Sequence, residues 1–71
     1  MPVVVYYRNG NTEVPDSRQG IDALRWIAEN INADLSNMRI SNLVLNSGGF
    51  YHEFRNTDFV ACRFVDARLS L

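Results

Sequence analysis

The sequence predicts an α+β fold: an N-terminal β-hairpin and a helix, followed by a coil of chain that stacks on itself. Three patterns carry that prediction. β-branched and aromatic residues flank a turn signal near the start, and apolar residues recur at helical spacing in the middle. Over the second half, large apolar residues recur every five positions. A period of five belongs to neither helix nor strand, and a fixed short period is the mark of a repeat architecture.

The hairpin comes first. Val3-Val-Val-Tyr-Tyr7 has the composition of a strand, and Arg8-Asn9-Gly10-Asn11 follows it. Asn-Gly favours the positive φ values of a type I′ turn, which predicts a return strand over Thr12-Glu13-Val14. Pro15 ends that strand because it has no N–H to give a ladder. Asp16, with Gln19 three places later, reads as a capping box opening a helix. Ile21, Leu24, Ile27, Ala28 and Ile31 then form an apolar stripe, with Asp22, Arg25, Glu29 and Asn30 on the other side. The helix is expected to end near Asn30. Trp26, on the flank of the stripe, is read as the edge of the core rather than part of a partner site.

The repeats occupy residues 33–71. Leu35, Ile40, Leu45 and Phe50 are five apart, as are Phe54, Phe59, Phe64 and Leu69, and a single four-residue step separates the two sets. Cut into fives, the segment reads Ala33-Asp-Leu-Ser-Asn37, Met38-Arg-Ile-Ser-Asn42, Leu43-Val-Leu-Asn-Ser47 and Gly48-Gly-Phe-Tyr51. After the short step come His52-Glu-Phe-Arg-Asn56, Thr57-Asp-Phe-Val-Ala61, Cys62-Arg-Phe-Val-Asp66 and Ala67-Arg-Leu-Ser-Leu71. This resembles the pentapeptide-repeat family, whose fives run small residue, Asp or Asn, Leu or Phe, then two looser positions. ADLSN and TDFVA match closely; Met38, Leu43 and His52 depart from the small slot, and Gly48-Gly49 interrupts the pattern.

The resemblance implies a short right-handed quadrilateral β-helix capped by the hairpin and helix. In that family four fives make one square turn, so eight fives would be two coils with residues nineteen apart in register. Leu35 would lie over Phe54, Ile40 over Phe59, Leu45 over Phe64 and Phe50 over Leu69. Outward-pointing predecessors would stack likewise: Asp34 over Glu53, and Arg39 over Asp58 as a cross-coil ion pair. The alternative is a compact ββαβββ domain with residues 38–45, 50–56 and 58–66 as antiparallel strands. The absence of sustained period-two alternation ranks it second.

The chain is a single domain, with residues 1–32 as cap and 33–71 as coils. It stops at Arg68-Leu69-Ser70-Leu71 without a polar capping segment. That leaves an end formed by Phe54, Phe59, Phe64, Leu69 and Leu71, for which a two-fold homodimer is the expected cover.

Composition narrows function by exclusion. Net charge is −1, with seven basic residues, all Arg, against eight acidic ones. No basic patch suits direct binding of nucleic acid. No apolar run is long enough to span a membrane and no signal-peptide pattern opens the chain. Cys62, the one cysteine, fits a reducing compartment and a packed thiol, and the expected location is the cytoplasm of a bacterial host. His52 has no second ligand at metal spacing and reads as a surface histidine. No cofactor is expected, and the chain is read as not an enzyme.

What remains is binding. The repeat family includes gyrase inhibitors that approximate the shape and charge of duplex DNA. The resemblance, with the chain's small size, implies a phage-type inhibitor, anti-CRISPR-like or gyrase-inhibitor-like. Its protein target would be a DNA-binding enzyme or CRISPR effector, contacted through an acidic face of Asp34, Glu53, Asp58 and Asp66. The other class is a structural or oligomerisation module acting through the C-terminal coil.

Overall fold

The computed structural model describes residues 1–46, 48–50 and 52–69. It is a small α+β protein with one short helix and a mixed sheet. β1 (Val4–Tyr7) and β2 (Gly10–Glu13) form the hairpin, with Val4 opposite Glu13 and Tyr7 opposite Gly10. Its two turn residues are Arg8 and Asn9, at φ 51° and 64°, not the expected Asn9-Gly10. Local side-chain contacts favour that register. The Tyr6 hydroxyl donates to Asn9 Oδ1 at 3.1 Å, and the Arg8 guanidinium lies 5.0 Å from the Tyr7 ring centre. Val14 continues the hairpin by donating its N–H to the Val3 carbonyl, and its side chain is buried.

The helix, α1, spans Ile21–Asn30, and the capping box is not what opens it. Its N-cap is Gly20, with no side-chain cap bond; Gln19 Nε2 donates instead to the Asp16 carbonyl, inside the preceding turn. Gly20 stands at φ 59°, ψ −132°, a conformation open essentially to glycine alone, and backs onto Leu45 and the Val44 carbonyl. That backbone turns the chain over the repeat segment before the helix begins. The stripe then does as predicted: Leu24 and Ile27 are fully buried, Ala23 joins them, and Trp26 packs at the core edge.

The repeat segment supplies β3 (Arg39–Ser41), β4 (Val44–Leu45), β5 (Gly48–Phe50), β6 (Asp58–Val60), β7 (Arg63–Phe64) and β8 (Ala67–Leu69). β3 with β6, β4 with β7, and β5 with β8 all pair in parallel. Each pair has the predicted offset of nineteen: Ile40 opposite Phe59, Leu45 opposite Phe64, Phe50 opposite Leu69. The segments 38–45 and 58–66 therefore pair with each other in parallel rather than antiparallel. Among the described residues antiparallel pairing joins β1 with β2 and β1 with β3, which links hairpin to repeats in one sheet of order β2-β1-β3-β6.

A corner motif recurs between the strands. Asn37, Asn42, Asn56, Ala61 and Asp66 all have φ between 49° and 67°. They occupy the last slot of their fives, so the chain bends at the same place in these five repeats.

Burial differs sharply between the two passes. Leu35, Ile40 and Leu45 are fully buried in one cluster with Val5, Leu24 and Ile27, and Met38 and Leu43 join them. The large residues in the nominally small slot thus help to fill the core shared with helix and hairpin. In the second pass Phe54 is 7% exposed, Phe59 is half-buried and Phe64 is 41% exposed.

Candidate binding surfaces

The outward slots put charge on the surface. Asp34, Arg39, Glu53, Asp58, Arg63 and Asp66 are all exposed. The four carboxylates nominated from sequence do not gather at one point. Asp34 and Glu53 line one cleft, Asp58 lies on β6 opposite Arg39, and Asp66 forms the corner after β7. Among the described residues the ion pairs are Arg18–Asp22 at 3.2 Å and Arg55–Glu53 at 3.1 Å, so Arg39 and Asp58 are aligned without being bonded. Two freely solvated chains gain little from being fixed in one geometry, which is why alignment alone does not make a pair.

The like charges of Asp34 and Glu53 are relieved by Arg55. Its guanidinium hydrogen-bonds Glu53 and holds that carboxyl below the usual carboxylate range, while Glu53, and to a lesser extent Asp34, push the guanidinium up. The cleft here, about 570 Å³, is lined by Asp34, Ser36, Asn37, His52, Glu53 and Arg55. His52 is half-buried rather than a free surface side chain. Its Nε2 lies 2.7 Å from the Asp34 carbonyl oxygen, which can only accept, so Nε2 carries the proton.

A second, half-open groove of about 450 Å³ runs between the N-terminal strand, the 15–20 turn and the flank of β4. Val3, Val14 and Val44 give it apolar walls, and Arg18, Asn42 and Asn46 polar ones. Asn42 helps to fix it, since its Nδ2 donates to the Pro2 carbonyl at 3.1 Å.

The apolar end is the most distinctive surface. Phe54 and Phe59 meet edge to face at 5.3 Å between ring centres, and Phe59 and Phe64 do so at 5.6 Å. Phe64 is 41% exposed, and Val60 and Val65, in the slots that follow the inward ones, are each 44% exposed, as Val44 is at 43%. β6, β7 and β8 are each paired on one side only, as are β2, β4 and β5. The Leu69 side chain and all of Leu71, which the sequence also assigned to this end, lie outside the described residues.

Cys62 is a packed thiol. Sγ donates to the Ile40 carbonyl at 3.4 Å, and burial pushes its pKa up, away from the thiolate form a nucleophile needs. Among the described residues no three His, Cys, Asp or Glu side chains group closely enough to hold a metal ion, and no helix is long and apolar enough to cross a membrane. Comparison with known proteins finds no matching family model, no similar curated protein and no similar solved structure.

Proposed function

We propose that this chain is a non-catalytic binding module: two stacked coils of a pentapeptide-type right-handed β-helix, capped at one end by hairpin and helix, that associates through the other end. The observation that carries this reading is the burial gradient. In the inward slots Leu35, Ile40 and Leu45 of the first pass are fully buried, whereas in the second pass Phe59 is half-buried and Phe64 is 41% exposed, beside strands β6, β7 and β8 that each pair on one side only. Apolar side chains next to open edges are what association covers. A second copy is the fitting occupant, because a two-fold axis brings the same apolar patch against itself and needs no opposite charge. Phe64 is already more than half buried, so covering the rest of it contributes about 1 kcal/mol per copy. The test is Phe64→Asp: the variant stays folded, because the side chain already reaches solvent, but it no longer self-associates. Undiminished self-association in that variant would remove the coil end from the account.

A second reading is favoured by the exposure of Asp34, Glu53, Asp58 and Asp66. In it the protein is a phage-type inhibitor of a nucleic-acid-handling complex, such as a topoisomerase or CRISPR effector, and partly mimics DNA by presenting carboxylates to a basic groove. Charge mimicry of this kind is screened by salt. The double variant Asp58→Lys with Asp66→Lys is then expected to lose capture of such a target from bacterial lysate, as wild type loses it in high salt. Equal capture by wild type and variant would discard the mimicry.

A further inference from the structure

The two passes are not joined in the same way all round. Where β3, β4 and β5 meet β6, β7 and β8, the backbone pairs at a constant offset. The remaining stretch sets residues 33–37 against 52–57, and there side chains do most of the joining. His52 Nε2 donates to the Asp34 carbonyl at 2.7 Å, Thr57 Oγ1 to the Leu35 carbonyl at 2.8 Å, and Asn56 Nδ2 to Asn37 Oδ1 at 2.9 Å. Among the described residues the backbone bond across this stretch is from the Asn37 N–H to the Arg55 carbonyl, at 2.9 Å. The Asn37–Arg55 bond keeps the separation of the Asn42–Val60 bond, and Thr57–Leu35 that of Cys62–Ile40, so the register continues here while side chains take over most of the bonding.

This is also where the five-residue period falls one residue short, between Phe50 and Phe54. Leu35 stands at φ 49°, off strand geometry, and the carbonyls of Asp34 and Leu35 take side-chain donors. His52 fits this role in two ways. Its ring packs between Phe50 and Phe54, at 6.1 and 5.6 Å between centres, and its Nε2–H replaces a ladder donor. A small residue in that slot supplies neither.

We propose that residues 33–37 and 52–57 form a seam at which the two passes part first, and that the His52 imidazole is its clasp. This rests on the stacked-coil reading. Side-chain bonds at a solvent-lined cleft open more readily than a continuous ladder, and local opening is read by amide hydrogen exchange. Asn42, Asp58, Arg63 and Val65 donate across the ladder sides, to Val60, Met38, Leu43 and Leu45, and Asn37 donates across the seam.

The experiment is native-state exchange by NMR on the whole chain, for wild type, His52→Ala and Thr57→Val. In wild type the Asn37 amide is expected to exchange about tenfold faster than those of Arg63 and Val65. Either substitution should speed Asn37 about tenfold more while leaving Arg63 and Val65 unchanged. Thr57→Val keeps the side-chain shape and serves if His52→Ala does not fold. Asn37 protected as well as the ladder amides, or all amides accelerated alike by substitution, would overturn the seam. Lack of protection at Asn42, Asp58, Arg63 and Val65 in wild type would instead overturn the stacking itself.

Discussion

Asn37, Asn42, Asn56 and Asp66 occupy left-handed backbone at the corners, and so does Ala61. Asn and Asp tolerate that region because their short polar side chains bond locally, whereas a Cβ without such compensation costs about 1–2 kcal/mol. Ala61 is therefore the strained corner of the set. Ala61→Gly is expected to stabilise the fold by about 0.5–1 kcal/mol, measured by thermal or denaturant melting, despite glycine's greater freedom when unfolded. A loss of stability would mean that Ala61 is held by packing. This corner signal was legible in the sequence, since four of these five terminal slots are Asn or Asp. Reading only the apolar slots passed over it. The positive φ of Leu35 and Arg8 had no such signal: neither residue type favours that conformation, and tertiary context imposes it.

At the scale of elements, spacing was the most informative feature. Five-residue recurrence, with one four-residue step, specified which strand lies beside which and with what offset, because every parallel pair must keep the same register. Inserting one residue after Asn42 tests this directly. Asn42 donates its backbone N–H to Val60 and its side chain to Pro2, and the insertion would displace β4 and β5 from β7 and β8. In a register-locked stack that turns inward residues outward, so cooperative thermal unfolding is expected to be lost. A wild-type melt would mean the segment is an ordinary loop. The helix start was less legible. Asp16 and Gln19 have the right types and spacing for a capping box, but Gly20's conformation delays the helix until Ile21, and that depends on where Leu45 and the Val44 carbonyl lie. A local motif carries no information about that distant neighbour.

For the whole molecule, the hairpin, the helix and the repeat segment share one core. The helix and hairpin bury Leu35, Ile40 and Leu45, and nothing equivalent covers Phe64, Val60 and Val65 among the described residues. Of the side chains the five-residue slots assign to the apolar end, Phe64 is exposed, Phe59 half-buried and Phe54 buried, while Val60 and Val65 occupy other slots. The acidic set was not readable as a surface: outward position follows from the repeat, but clustering depends on which corner each carboxylate adjoins. Asp34 and Glu53 share a cleft with Arg55, while Asp58 and Asp66 stand apart on later repeats. Association through the coil end is therefore the central functional claim. It is tested most directly by the molar mass of the wild-type chain, measured by light scattering over a dilution series. The account predicts a dimer mass that falls to the monomer value on dilution. A monomer mass at every concentration would contradict it.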